Sequence, residues 1–354
     1  MAIKRREMPT LSDIAASAGV SKYTVSVVLN GARSSTRVSD ETRKRINAVA
    51  RDLGYYPNAM AQGLRRRRIN TVGVLFGPVE PSVILANPYA SGILQGILAE
   101  ASQRRCDVTL FSEPWKADAG QEGRFRDGRT DGVILVAPLA GSQVVERLSE
   151  IGVRLVTVAY PGEKHNAPSV DVDNVAGIRL AVAHLVEQGH RRIAHLTGDM
   201  DMVSVLVRRQ AFVEATGAHG ISTPEAYIRI CRYSGERTEE AVHELLQLPE
   251  PPTAIVAGND AIAMAAMTAA RERGLSVPEQ LSVVGFDDIP SAQLVTPALT
   301  TVRQPLREIG TEAMRLLQDL VEGKDVEMRA HLLTPELIVR DSTTVCTSRG
   351  GKST

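Results

Sequence analysis

Four consecutive arginines, Arg65 to Arg68, follow Gly63-Leu64 and form the densest run of charge in the chain. Guanidinium forks in a row suit a polyanion, although such a run is often only solvated surface. Carboxylates occur as two close pairs, Asp171-x-Asp173 and Asp287-Asp288. Neighbours in a strand or turn point in different directions, so one member of each pair is expected to be a helix cap or a structural bond. His184, His190 and His195 lack metal-ligand spacing. Cys106, Cys231 and Cys346 are far apart and odd in number, which suits a reducing cytoplasm better than a disulfide framework. Gly350-Gly351-Lys352-Ser353-Thr354 is similar to the close of a phosphate loop, but the first glycine of that loop would fall on Cys346. With no nucleophile–base pair and no dinucleotide glycine fingerprint, the expectation is a protein that is not an enzyme and uses neither metal nor cofactor.

The formal net charge is zero over 354 residues. Residues 1–68 nevertheless hold 14 Lys+Arg against 5 Asp+Glu, and the remainder 27 against 36. A basic head on an acidic body points to a polyanion partner for the head alone. No apolar run approaches the roughly 18–20 residues that span a bilayer. The opening Met1-Ala2-Ile3-Lys4-Arg5-Arg6-Glu7 lacks the apolar region of a secretory signal. A cytoplasmic protein without a membrane partner is expected.

The elements that must position these groups begin with a head over 1–56. Thr10-Leu11-Ser12-Asp13 reads as a capping box, and Leu11, Ile14, Ala15 and Ala18 recur at helical spacing. Gly19 stops this helix and Ser21 caps a second, with Val25, Val28 and Leu29 inward and Asn30-Gly31 at its end. Ser39 caps a third helix, Asp40 to Leu53, with Ile46, Val49, Ala50 and Leu53 buried and Gly54 as its stop. The first two helices form a helix-turn-helix, whose second helix enters the major groove. Lys22, Tyr23, Ser26 and Val27 lie on its outer face; lysine can bond guanine edges or phosphate, and valine offers only an apolar surface to a thymine methyl. A three-helix bundle that binds protein is the alternative.

Residues 57–68 are expected to be a conditional helix. Asn58 is a good N-cap and Ala59 to Gln62 favour helix, but a segment this short is marginal in water, and Gly63 weakens it by roughly 1 kcal/mol relative to alanine. Such a segment orders on a surface. From residue 69 to about 345, apolar strand-like blocks alternate with amphipathic helical ones, beginning with Thr71 to Phe76. Alternation implies parallel sheets covered by helices. About ten strands are too many for one such sheet, so two doubly wound lobes with a cleft are expected, with ligand beyond the carboxyl ends of the strands.

Thr10-Leu11-Ser12-Asp13-Ile14-Ala15, Ala18-Gly19-Val20-Ser21, Thr24-Val25-Ser26, Val28-Leu29-Asn30-Gly31 and Leu53-Gly54-Tyr55 with Pro57-Asn58 resemble the head of the lactose-repressor (LacI/GalR) family of bacterial transcription regulators. Asn87-Pro88-Tyr89, Asp173-Asn174, Gly189-His190-Arg191-Arg192-Ile193-Ala194, Asn259-Asp260, Val284-Gly285-Phe286-Asp287-Asp288, Leu299 to Pro305 and Pro335 to Ser342 extend the resemblance through the body. It implies a helix-turn-helix head, a hinge and two lobes of periplasmic-binding-protein type, taken as about 69–160 with 300–330 and about 170–297 with 331–345, and a tail over 346–354. Interlobe crossovers are then expected near 159–170, 296–300 and 330.

The function implied is a sequence-specific repressor that binds double-stranded operator DNA as a homodimer and answers to a small effector, a sugar or sugar phosphate. A nucleoside- or purine-responsive regulator, or a receptor whose head no longer binds DNA, is the alternative. The DNA-facing set is Thr10, Ser21, Lys22, Tyr23, Thr24, Ser26, Val27 and Asn30 of the head, with Asn58, Leu64 and Arg65 of the hinge. Leu64 falls on the family's wedge, which opens a base step at a cost that phosphate contacts must offset. The effector-facing set is Asn87, Tyr89, Arg208, Asn259, Asp260, Asp287 and Gln304. The chain departs from the family pattern at Val27, where many members carry Arg or His, and at Ala159, where many carry Asp. Trp115, the single tryptophan, is read as a surface or core-edge residue that could also stack on a sugar ring.

Overall fold

The computed structural model describes residues 9–30, 37–56, 68–77, 85–115, 120–162, 166–231 and 235–346. They fall into two units, Met1–Asn70 and Thr71–Thr354. The hinge positions Asn58, Leu64 and Arg65 lie outside the described residues.

The head contains α1 (Leu11–Ala18), α2 (Lys22–Asn30) and α3 (Asp40–Asp52). Each starts on a short polar side chain that accepts an otherwise orphaned amide. Thr10 Oγ1 accepts from Ser12 N and Asp13 N while Asp13 takes the Thr10 N–H at 2.8 Å, completing the capping box. Ser21 Oγ accepts from Thr24 N at 3.1 Å and Ser39 Oγ from Thr42 N at 3.3 Å. Each such cap contributes about 1 kcal/mol. Gly19 ends α1 at φ +64°, a conformation that would strain any other residue there. Ile14, Ala15, Ala18, Val25, Ile46 and Ala50 form the head's core. Leu53 does not join them as expected. It is the cap residue after α3 and 40% exposed, and Tyr55 packs on the core instead.

The body's strands are β1 (Thr71–Phe76), β2 (Asp107–Leu110), β3 (Val133–Val136), β4 (Leu155–Val158), β5 (Ser169–Val172), β6 (Ile193–Thr197), β7 (Ile228–Ile230), β8 (Ala254–Ala257), β9 (Ser282–Asp287), β10 (Thr300–Arg303), β11 (Ala330–Leu333) and β12 (Glu336–Ile338). Its helices are α4 (Pro88–Gln103), α5 (Val144–Glu150), α6 (Asn174–Glu187), α7 (Val203–Ala218), α8 (Gly235–Leu246), α9 (Asp260–Glu272) and α10 (Leu306–Val321). The strands make two six-stranded sheets, ordered β11-β5-β4-β3-β1-β2 and β12-β10-β9-β8-β6-β7. Every pairing is parallel except the antiparallel edge pair β10–β12. Central strands such as Val133-Ile134-Leu135-Val136 are buried at every position, because helices cover both faces.

The division between lobes differs from the expected one. Strand β5 (169–172) closes the first sheet rather than opening the second lobe, and β10 (300–303) pairs with β9 in the second sheet. Strand β11 returns to the first sheet at 330–333. The chain therefore crosses between sheets around 173, 304 and 334, each time a few residues later than the resemblance implied, since in each case a short strand extends the pairing first. The lobes also touch directly. Leu139 and Met202 form an antiparallel bridge, and Ala140 N donates to Asp201 O at 2.8 Å.

Helix α10 lies along α4 on the first lobe, and two glycines let the backbones approach. A methyl group at Gly96 would overlap the carbonyl of Arg307, and one at Gly310 would overlap the carbonyl of Ile93. The obstacle is backbone on both sides and cannot rotate away. Gly310→Ala is therefore expected to lower the unfolding free energy by about 1–3 kcal/mol, read as an earlier midpoint in urea. An unchanged midpoint would contradict this packing.

Candidate functional site

Arg208 sits on α7 with only 7% of its surface exposed. A buried cation requires paired partners, and three elements supply them. Nε donates to Asn174 Oδ1 at 2.7 Å, at the start of α6. Nη1 donates to Gly258 O at 2.7 Å, after β8, and lies 3.9 Å from Asp287 Oδ1 at the end of β9. The Phe286 ring covers the guanidinium face, with Cζ 3.6 Å from the ring centroid, a cation–π contact.

Two carboxylates, Asp171 and Asp287, feel the charge of this cation, and Asp260 stands beside Asp287. Asp171, on β5, accepts from its neighbour Val172 N at 2.8 Å and from Asn174 Nδ2 at 2.9 Å. Burial pushes its carboxyl up to about 6, against the pull of Arg208. Asp287 has φ +122°, a backbone region L residues rarely occupy. It accepts from Gln304 Nε2 at 2.5 Å. Burial raises its pKa, opposed by Arg208 and Gln304. Gln304 Oε1 is buried and has no hydrogen-bond partner among the described residues. Asp260 opens α9 and is fully buried. Its Oδ1 accepts from Thr301 Oγ1 at 2.5 Å and its Oδ2 from Ile289 N at 2.8 Å. Burial raises its pKa first, and the charge of Asp287 raises it further.

The expected effector-facing residues thus separate. Arg208, Asp287 and Gln304 form one cluster. Asp260 has no exposed surface and both oxygens are engaged, so it ties α9 to β10 and to the turn after β9 instead of facing the cleft. Asn259 Oδ1 caps α9 through Ile262 N, Asn87 Oδ1 caps α4 through Ala90 N, and Tyr89 packs against the apolar core. The sequence reading missed Asn174 and Asp171 as partners of Arg208. The signal was present in Asp171-x-Asp173-Asn174 at a strand end, with Asp173 capping α6 through Ala176 N as one member of such a pair should. In the other pair, Asp288 turns away from the cluster and is held by Arg303 and Arg340 at 2.8 and 2.6 Å.

His184, His190 and His195 make structural bonds. His195 is buried, donates from Nδ1 to Val256 O at 2.8 Å and stacks on Phe212, and burial depresses its pKa to about 4. His184 and His190 bond to Thr343 and Thr253. Among the described residues no group of three or more His, Cys, Asp or Glu is placed to hold a metal ion. No helix among them is long and apolar enough to cross a membrane.

On the head, Lys22 and Tyr23 are exposed on the first turn of α2, and Thr24, Ser26, Val27 and Asn30 are half-buried along it. Thr10 and Ser21 cap helices, as described above. A helix-turn-helix head and a two-lobed α/β body with a buried arginine–carboxylate–amide cluster define a ligand-binding regulator. The signature of bacterial regulatory proteins of the lacI family matches residues 10–58, and that of a periplasmic binding protein-like domain matches 182–343. The chain is 34% identical to the HTH-type transcriptional regulator CelR of Thermobifida fusca, over 96% of this chain and all of that one. It is 33% identical to the HTH-type transcriptional repressor CytR of Escherichia coli (strain K12), over 96% of this chain and 98% of that one. The structure of the lac repressor dimer bound to operator and the anti-inducer ONPF superposes with a TM-score of 0.81 at 28% identity, covering 96% of this chain and 100% of that one. The chain belongs to the lacI family of bacterial regulatory proteins and is a DNA-binding transcription regulator.

Asp260 provides a test that needs no ligand. Its proton is held above the ordinary value of 3.8 in the folded state. The folded protein therefore binds a proton that the unfolded chain has released, and the stability from this group is full below 3.8 and declines as pH rises towards neutrality. Asp260→Asn cannot ionise. The stability of wild type relative to this variant is expected to fall between about pH 5 and about pH 8 in urea unfolding. A relative stability that grows over that range would contradict the assignment.

Proposed function

We propose that the protein is an effector-controlled repressor that binds a near-palindromic operator as a homodimer, with its effector held between the lobes by Arg208, Asp287, Gln304, Asn174 and Asp171. The observation that carries this reading is the buried guanidinium with its fixed acceptors and the unpaired Gln304 Oε1. Carboxylates outnumber cations in the cluster, so the effector is an uncharged polyhydroxylated molecule. A sugar phosphate would meet Asp171 and Asp287 as like charges. Carbohydrate is favoured over nucleoside by the likeness to a solved transcriptional regulator CelR–cellobiose complex, which superposes at a TM-score of 0.72 and 33% identity. On the DNA side, Lys22, Tyr23, Thr24, Ser26, Val27 and Asn30 face the major groove. Asn58, Leu64 and Arg65 act in the minor groove at the operator's centre, and Thr10 and Ser21 hold the helices that present these groups.

The test is operator binding to DNA from upstream of the protein's own gene, with neutral sugars and nucleosides added in turn. Arg208→Lys keeps the charge but loses the planar fork. Its operator affinity should match wild type, and its effector response should weaken by about 10–100-fold, the value of charge-assisted hydrogen bonds. An equal effector response in wild type and variant would overturn the site. Failure to bind any upstream DNA would favour the receptor reading that Val27 suggests.

A further inference from the structure

The outer face of α2 carries an aliphatic side chain that the head does not use. Val25 is fully buried, and Val28 and Leu29 pack on the core it forms with Ile14 and Ile46. Val27, the remaining aliphatic residue of this helix, is half-buried and joins neither that core nor the residues packed on it among those described. It stands about 200° round the helix from Val25 and one turn beyond Tyr23. Lys22 and Tyr23 are exposed on that preceding turn, Tyr23 by 57%. We propose that Val27 reads the 5-methyl group of one thymine in each operator half-site, so that this base pair is selected by a methyl group and not by a hydrogen bond. The proposal rests on the operator reading given above.

Charge and position identify what covers this face. Residues 1–68 hold 14 Lys+Arg against 5 Asp+Glu, so the head as a whole attracts a polyanion. The second helix of a helix-turn-helix lies in the major groove with its N-terminal residues at the base edges. Tyr23 and Val27 are four residues apart and share one face of that helix. Val27 therefore meets the groove floor next to the pairs that Lys22 and Tyr23 face.

Chemistry then selects the base. Guanine offers two acceptors in the major groove, adenine an acceptor and a donor, and cytosine a donor; only thymine adds an apolar group, its 5-methyl. The isopropyl group of Val27 can neither donate nor accept. Laid on a purine edge or on the cytosine amine, it would strip water from a polar group without replacing the lost bond. Laid on the thymine methyl, it removes two apolar surfaces from water together. One consequence separates this contact from hydrogen-bonded readout. 5-Methylcytosine carries its methyl on the same ring carbon, so methylation of a cytosine placed at this pair strengthens binding.

The test selects duplexes that bind the full-length protein from a random-sequence pool. Each thymine of the half-site is then replaced in turn, in both half-sites together, by uracil, which loses the methyl and keeps every donor and acceptor. At one position uracil should weaken wild-type binding by about fourfold per half-site and about 15-fold in all, the worth of one buried methyl at each. In Val27→Ala the same replacement should change affinity by less than about twofold, since the cycle isolates this one contact. At that pair 5-methylcytosine should bind more tightly than cytosine by a similar factor. Val27 lies outside the head's core, so the variant should keep the wild-type midpoint in urea. The uracil series on the wild-type protein needs no variant. Uracil penalties that are absent, or that are equal in wild type and Val27→Ala at every position, would overturn the methyl contact and leave the operator reading standing on the selected duplex. If selection enriches no sequence, the operator reading fails and the methyl contact fails with it.

Discussion

A guanidinium with less than a tenth of its surface exposed cannot remain inside a protein unless its charge and its donors are met. Arg208 meets this requirement with groups from α6, the end of β8 and the end of β9. Two of the cluster's members stand where the chain passes between lobes. Asn174 follows β5 at the first passage, and Gln304 follows β10 at the second. The same bonds that satisfy the buried arginine therefore fix the segments about which the lobes would turn. A ligand that takes donors or acceptors from Arg208, Asp287 or Gln304 must alter the balance of forces at both passages.

Under the proposed function, that placement would supply the body's share of a route from effector to operator. The cluster is not self-sufficient, for it has more carboxylate than cation and a buried amide oxygen with no partner among the described residues. Hydroxyl groups of an uncharged ligand would supply the missing donors. A ligand shifts an equilibrium only by its differential affinity for the two states. The Leu139–Met202 bridge is one contact between the lobes that such a shift would strain or relieve. Asp260 lies beneath the cluster as a structural brace, coupled to Asp287 by charge and to Thr301 and Ile289 by hydrogen bonds.

Much of this was legible in the sequence because local chemistry and the final fold agree. The Thr10–Asp13 capping box, the Gly19 turn and the alternation of strand and helix are short-range signals, and the structure contains them. Of the seven effector-facing residues that the resemblance implied, the structure brings Arg208, Asp287 and Gln304 together. What failed was long-range. Strands β5 and β10 are short, and which sheet each joins is decided by its pairings, β5 with β4 and the distant β11 and β10 with β9 and β12, which periodicity cannot express. Asp260 looked like a ligand contact because it stands at a strand end. Only the approach of Thr301 and Ile289 shows that both its oxygens are used. Asn174 entered only through the Asp173-Asn174 resemblance, and its role beside Arg208 emerges from the placement of α7 against α6.

The central claim is that ligand binding at the Arg208 cluster and operator binding by the head share one free-energy coupling. The most direct measurement is the affinity of the carbohydrate that stabilises the protein, determined by calorimetry with and without saturating operator DNA. Linkage requires that the DNA change the carbohydrate's affinity by the same factor by which the carbohydrate changes the DNA's, within the usual range of about 5–150-fold. A carbohydrate affinity that is identical with and without operator would contradict the coupling, however tightly each ligand binds alone.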